Sequence, residues 1–146
     1  MSKIEMELLK LPEFNIRVKD TEIFCLIRKK WVFLTPEEWV RQHFLNLLIH
    51  YFDYPKGLMR LEQTLVYFKN SKRSDITVLN RHAGIFLLVE CKAPSVVLDH
   101  KVVNQLSEYN KVLASKYVAV SNGLKHFVWE KKDNEYMQLE EFPRYY

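Results

Sequence analysis

The chain has 146 residues, 48% hydrophobic and 14% aromatic with only three glycines, a composition that excludes a disordered or fibrous protein. The net charge of +4 is mild and fits either an ordinary solvated surface or one that attracts a polyanion. Two cysteines exclude a disulfide framework, and no segment is apolar and long enough to cross a bilayer. We therefore expect a cytoplasmic protein with a single domain over residues 1–146 and its core at about 23–139.

The first predicted elements are one or two strands over residues 23–34 and a helix directly after them. Thr35 suits the N-cap, Pro36 suits the first helical position, and Glu38 completes a capping box. Apolar residues then recur at helical spacing to about residue 52, which predicts one face packed on a sheet. These residues are Trp39, Val40, Phe44, Leu47, Leu48 and Tyr51.

The middle of the chain predicts a strand followed by a β-hairpin. A turn over residues 53–57 precedes the strand at 59–68, and a polar, basic link follows at 69–73. The next two runs, 75–79 and 85–92, are separated by the sequence NRHAG, which has the composition of a hairpin turn. The second run is nearly all apolar, which predicts a central strand covered on both faces.

The last third of the chain predicts a helix and three further strands. Pro94 ends the central strand, and residues 99 to about 115 have a helical pattern. Residues 117–120 form a short apolar run, and 127–130 with 136–139 predict a terminal hairpin. The order of elements predicts an α/β domain with a mixed central β-sheet flanked by helices.

The predicted hairpin brings three charged residues together. Successive side chains of a strand point to opposite faces, so Glu90 and Lys92 share one face. The start of the first strand lies beside the end of the second, so we expect Asp75 next to them. Two carboxylates about 4 Å apart repel by roughly 4 kcal/mol at an effective dielectric constant near 20. Lys92 offsets only part of this repulsion, and a divalent cation would cancel it.

Mg²⁺ is the cation that this cluster favours, because Mg²⁺ prefers hard oxygen ligands. We expect Mg²⁺, or Mn²⁺ in its place, on Asp75, Glu90 and the carbonyl of Cys91. The metal would polarise a phosphate and lower the pKa of a water, which Lys92 positions or helps to deprotonate. This chemistry is phosphodiester hydrolysis. In the alternative interpretation, Asp75 is a turn residue, and Glu90 with Lys92 is an ordinary cross-strand charge network.

Several separated motifs resemble the N-terminal nuclease domain of type I restriction enzyme R subunits. They are RSDI at 73–76, LLVECKAP at 87–94 and QLSEY at 105–109. TPEEWVR at 35–41 and YVAVSNG at 117–123 are similar to that domain's opening helix and late strand, so the resemblance covers about 28–130. It implies a PD-(D/E)XK, restriction-endonuclease-like fold, DNA as substrate, and Asp75, Glu90 and Lys92 as catalytic residues. Ser74 replaces the proline of the motif.

The resemblance also implies residues that support the site or contact DNA. Gln105 and Tyr109 lie one helical turn apart, so both can face the site and touch a water on the metal or a DNA phosphate. As alternatives, they are a polar helix residue and a core tyrosine. Glu38 is a supporting acidic residue in one interpretation and a capping residue in the other. Arg73 ends the basic run 69–73, which either guides a phosphate backbone or is a solvated loop.

These features leave three interpretations of function. The first is a Mg²⁺-dependent deoxyribonuclease, an endonuclease domain without the translocase motor that R subunits carry behind it, since this chain ends at Tyr146. The second is a nucleic-acid-binding module that keeps the nuclease fold but is inactive or needs a partner. The third is a structural domain without a ligand. DNA is the expected partner and a membrane is not, while a homodimer and a separate partner subunit are both left open.

Overall fold

A computed structural model describes residues 9–12, 14–65 and 72–145, with only the backbone described at 62–65, 72–74 and 112. Its strands are β1 (Val18–Lys19), β2 (Glu22–Cys25), β3 (Lys30–Phe33), β4 (Met59–Leu65), β5 (Lys72–Leu79), β6 (Ile85–Cys91), β7 (Tyr117–Ser121), β8 (His126–Lys132) and β9 (Glu135–Leu139), and its helices are α1 (Pro36–Asn46) and α2 (His100–Leu113). Strands β4 to β9 form a six-stranded sheet in chain order, and β1 to β3 form a separate three-stranded sheet. Only β6 and β7 pair in parallel in the larger sheet. The predicted mixed α/β architecture is therefore confirmed.

The N-terminal sheet and α1 follow the predicted order but add two features. The two-residue strand β1 is too short to leave a pattern in the sequence. Helix α1 begins as predicted, because Thr35 Oγ1 accepts a hydrogen bond from the Glu38 amide at 3.0 Å. It continues into a π-helical turn over Leu47–Tyr51. Such a turn holds an extra residue and shifts the helical face, so Tyr51 is 64% exposed and not in the core as predicted.

The hairpin of β5 and β6 contains a β-bulge that sets its register. Leu79 pairs with Ile85, but Val78 pairs with Leu87, so Phe86 is the extra residue. A one-residue change of register moves every side chain to the other face. The shifted pairing continues to Ile76 opposite Val89, and the next step places Asp75 opposite Glu90. Without the bulge, Asp75 would lie opposite the buried Val89.

Strand β6 lies in the middle of the larger sheet, between β5 and β7. On one face, residues of α1 such as Phe44 pack on Leu87 and Val89. On the other face, Leu106 of α2 packs with Leu88. Helix α2 begins after Asp99, whose carboxylate accepts hydrogen bonds from the first-turn amides. The prediction of a central strand covered on both faces is confirmed.

Further predictions concern the start of β5, the basic run and the two cysteines. Residues 72 and 73 pair with β4 and so belong to β5, not to a link. Residues 66–71, which hold the end of the predicted strand and the start of the basic run, lie outside the described residues. Cys25 and Cys91 are free and buried, as expected. Within the described ranges, no helix has the length and apolar character needed to span a membrane.

Candidate metal and phosphodiester site

The end of the β5–β6 hairpin holds the first carboxylate of the predicted cluster. Asp75 is the residue directly before Ile76, which with Val89 forms the β5–β6 pair farthest from the hairpin turn. Its Oδ2 accepts a hydrogen bond from the backbone N–H of Cys91 at 2.8 Å. The N–H and C=O of a strand residue point to the same side, so the Cys91 carbonyl faces the same edge as Asp75. The side chain is only 13% exposed, and the hydrogen bond fixes its orientation.

The second strand of the hairpin and the residue directly after it supply the other two predicted residues, Glu90 and Lys92. Lys92 Nζ lies 3.1 Å from Glu90 Oε1, and the two side chains are 26% and 15% exposed. Both residues follow the alternation expected of a strand and point to one face. The charge of Glu90 raises the pKa of Asp75, so this pair lies close to the first carboxylate. The structure thus brings Asp75, Glu90 and Lys92 together at one end of the hairpin.

A buried arginine that the sequence analysis missed contacts this cluster. Arg41 of α1 is 4% exposed, and its Nη2 lies 3.2 Å from Asp75 Oδ1. Its Nη1 lies 3.5 Å from Glu38 Oε1. The signal was present in the sequence, because Arg41 is three residues after Glu38 and three before the core residue Phe44. A basic residue at that spacing lies on the apolar face of the helix, where a charge needs a partner.

Glu38 has a different environment from that of a capping-box residue. Its carboxylate accepts hydrogen bonds from Arg28 Nη1 at 3.3 Å and from Gln42 Nε2 at 3.0 Å, and it also contacts Arg41. Thr35 caps the helix through the Glu38 backbone N–H. The side chain of Glu38 therefore belongs to a buried charge network, while Thr35 supplies the cap.

The electrostatics of the cluster distinguish Asp75 from Lys92. Burial and the nearby Glu90 charge raise the pKa of Asp75 to about 7, against the lowering effects of the Cys91 N–H and Arg41. Burial opposes the charge of Lys92, but the carboxylates of Glu90 and Asp75 outweigh it and raise the pKa of Lys92. Near neutral pH, Lys92 is therefore a cation, while Asp75 holds its proton more tightly than an ordinary carboxyl group does.

Helix α2 places the two remaining predicted residues at the same site. Gln105 and Tyr109 line a narrow cleft together with Glu90 and Lys92. Gln105 is exposed, whereas Tyr109 is 5% exposed and lies in the wall of the cleft. The predicted helical spacing therefore does bring both side chains to the face of Glu90 and Lys92. The Arg73 side chain lies outside the described residues, so its predicted DNA contact stays a prediction.

The cluster offers hard oxygen donors of the kind that Mg²⁺ binds. Asp75 and Glu90 are coupled carboxylates, and the Cys91 carbonyl points to the same edge. Burial raises the pKa of Asp75 most and the nearby Glu90 charge raises it further, and a divalent cation would oppose both effects. In the described part of the chain, no group of three or more His, Cys, Asp or Glu side chains could hold a metal. The donors that this end of the hairpin offers are two carboxylates and a backbone carbonyl.

Comparisons with known proteins identify the family and the fold of this chain. Residues 36–143 match the family described as type I restriction enzyme R protein N terminus (HSDR_N). A solved fragment described as an HsdR subunit of a type I restriction enzyme from Vibrio vulnificus YJ016 superposes with a TM-score of 0.57 at 18% identity. The match covers 76% of this chain but only 24% of that chain. No curated protein sequence matches.

Proposed function

Because the chain belongs to the family of type I restriction enzyme R protein N termini, we propose that it is a metal-dependent endonuclease domain of the PD-(D/E)XK type that hydrolyses DNA phosphodiester bonds. Asp75, Glu90 and Lys92 are its proposed catalytic residues. The observation that carries the proposal is the Asp75 carboxylate, held on the Cys91 N–H at 2.8 Å beside the Glu90–Lys92 pair. A structural ion pair alone does not require a second, buried carboxylate at the same place.

The proposed metal is Mg²⁺, with Mn²⁺ as a substitute, held by Asp75, Glu90 and the Cys91 carbonyl. When bound, it supplies positive charge that polarises the scissile phosphodiester and stabilises the charge of the transition state. Asp75 enters this role with its orientation already fixed by the backbone of β6. Such preorganisation lowers the reorganisation that a charged transition state requires.

Lys92 is the proposed cation that contacts the substrate. Its raised pKa keeps the ammonium protonated near neutral pH, so it favours holding the scissile phosphate or the attacking water over removing a proton. Gln105 and Tyr109 line the same cleft and supply hydrogen-bonding groups toward the substrate. Arg41 contacts Asp75 from the other side and acts as a positioning residue in this proposal.

The narrow cleft favours a second candidate, a nucleic-acid-binding module that cuts only with a partner. The cleft has essentially no room for a water molecule, whereas typical ligand pockets measure roughly 300–1,000 Å³. The solved relative is described as one subunit of a type I restriction enzyme. We propose likewise that a separate partner subunit works with this chain, in preference to a homodimer.

Cleavage of supercoiled and linear DNA with Mg²⁺ or Mn²⁺ tests the proposal. The wild-type chain is compared with Asp75→Asn, Glu90→Gln and Lys92→Met, and with Glu135→Gln, an exposed residue of β9, as a matched control. We expect metal-dependent cleavage that is lost in the three site variants and kept in the control. Equal DNA binding by all variants with no cleavage by the wild type would favour the binding module.

A further inference from the structure

The three-stranded sheet has an outer face that the proposed catalytic site does not use. Phe24 pairs with Trp31, and Glu22 pairs with Phe33, so these four side chains share one face. Ile23 and Cys25 point the other way and are fully buried. Phe33 is 64% exposed, and Phe24 and Trp31 are partly exposed.

An arginine is held on this face by the two aromatic rings. The Arg17 guanidinium lies 4.6 Å from the centre of the Phe24 ring and 5.2 Å from that of Trp31. These rings form an edge-to-face pair at 5.6 Å. Of the carboxylates that the structure describes, none forms an ion pair with Arg17. Its side chain is exposed, so the charge is oriented by the rings and directed to solvent.

The same segment contains most of the excess positive charge of the chain. Residues 17–33 include five basic and two acidic residues, whereas the whole chain has a net charge of +4. Lys19 pairs with Glu22 across β1 and β2 and is exposed beside Arg17. We name Arg17, Lys19, Phe24, Trp31 and Phe33 the aromatic-basic face. Its composition is that of surfaces that neutralise phosphates and stack on bases.

Buried charges connect this sheet to the candidate catalytic site. Arg28, in the turn between β2 and β3, lies 3.3 Å from Glu38. Glu38 contacts Arg41, which contacts Asp75. The small sheet is therefore adjacent to the end of the β5–β6 hairpin that holds the catalytic residues.

We propose that the aromatic-basic face binds DNA and holds it beside the catalytic site. Arg17 and Lys19 contact phosphates, and Phe33 with Trp31 contacts the sugar or an unpaired base. This assignment rests on the proposed function, since DNA is the substrate that the site acts on. Glu22 lies on the same face and weakens the attraction of a polyanion.

Fluorescence anisotropy with labelled single-stranded and duplex DNA tests this assignment. The full chain is used in EDTA, where no cleavage occurs, and each variant is checked by circular dichroism. We expect Arg17→Gln/Lys19→Gln to weaken binding about tenfold and to lower the salt slope on duplex DNA by about 1.8, since each lost phosphate contact with a duplex removes about 0.9. Phe33→Ala weakens single-strand binding at least about fivefold. Glu22→Gln strengthens binding, and Lys125→Gln/Lys132→Gln, on exposed residues elsewhere, changes it less than twofold.

Three results would overturn the assignment. The first is a wild-type chain that does not bind DNA, and the second is face variants that bind as tightly as the lysine control. The third is a wild-type dimer that Phe33→Ala converts to a monomer while DNA affinity is unchanged, since the face would then contact protein. Binding lost in the face variants supports the assignment even where the wild type does not cut. If the second result is accompanied by cleavage at the wild-type rate, the assignment is overturned but the proposed function is left intact.

Discussion

Two helices reach the end of the β5–β6 hairpin from opposite faces of the sheet, and they do so with different chemistry. Helix α1 contributes Arg41 and Glu38, which are buried and charged. Helix α2 contributes Gln105, which is exposed, and Tyr109, which lines the cleft of Glu90 and Lys92. A buried charge must be compensated for the domain to fold, whereas an exposed amide can be removed at little cost. The comparison predicts that α1 supports the site through stability and that α2 acts through contact with substrate.

Removal of the Arg41 charge is expected to have the largest effect on stability. Arg41→Met leaves the carboxylates of Glu38 and Asp75 buried with less compensation. Loss of one partner of a buried ion pair costs about 3–5 kcal/mol, so urea unfolding at pH 7.5 should give a free energy of unfolding lower by that amount. Arg41→Lys keeps the charge and should lose much less. The comparison of helices fails if Arg41→Met is no less stable than Gln105→Ala.

The pH dependence of stability tests the burial of Asp75. Its pKa of about 7 in the folded state lies above the ordinary value of 3.8. The folded state therefore binds a proton more tightly than the unfolded state, and this advantage, complete below pH 3.8, is lost as the pH rises through about 7. Without metal, the free energy of unfolding should fall by up to about 4 kcal/mol across this window. Asp75→Asn lacks this titrating carboxyl group, so its free energy of unfolding should fall less over the same pH range. An equal fall in both proteins would contradict the raised pKa of Asp75.

The α2 side of the comparison predicts a kinetic effect with little change in stability. Gln105→Ala removes an exposed amide from the cleft, so its free energy of unfolding should change by about 0.5 kcal/mol or less. DNA cleavage under single-turnover conditions should slow about tenfold, the equivalent of about 1.4 kcal/mol of transition-state stabilisation. Ser107→Ala on the same helix is a matched control. Unchanged cleavage in Gln105→Ala would remove this residue from the proposed site.

The last prediction separates the two interpretations of Glu38. Glutamine is as suitable as glutamate in a capping box, so Glu38→Gln would be neutral if capping were its role. The side chain instead contacts Arg28 and Arg41, and loss of its charge should lower the free energy of unfolding by about 1–2 kcal/mol. Thr35→Ala removes the observed cap and provides a reference loss of about 1 kcal/mol. A neutral Glu38→Gln would restore the capping interpretation.

Much of the fold followed from local patterns in the sequence. Hairpin composition at 80–84, the cap at Thr35 and the apolar run of β6 each depend on neighbouring residues, and the structure agrees with all of them. The grouping of Asp75 with Glu90 and Lys92 followed from strand alternation and the hairpin. Their catalytic roles stay a prediction.

The features that the sequence analysis missed depend on contacts between distant elements. The bulge at Phe86 fixes the partner of Asp75, yet it has no glycine or other marker in the sequence. The π-helical turn that exposes Tyr51 is equally unmarked. Arg41 and Asp75 are 34 residues apart in the sequence, and they come into contact only because α1 packs on the sheet.

The Mn²⁺ dependence of DNA cleavage tests the central claim most directly. Cleavage rate and Mn²⁺ binding are measured together for the wild type, Asp75→Asn and Lys92→Met, with EDTA as the metal-free reference. We expect the wild type to bind Mn²⁺ and cut, Lys92→Met to bind without cutting, and Asp75→Asn to do neither. Cleavage by Asp75→Asn at the wild-type rate, or a Mn²⁺ affinity that this substitution leaves unchanged, would contradict a metal site at Asp75.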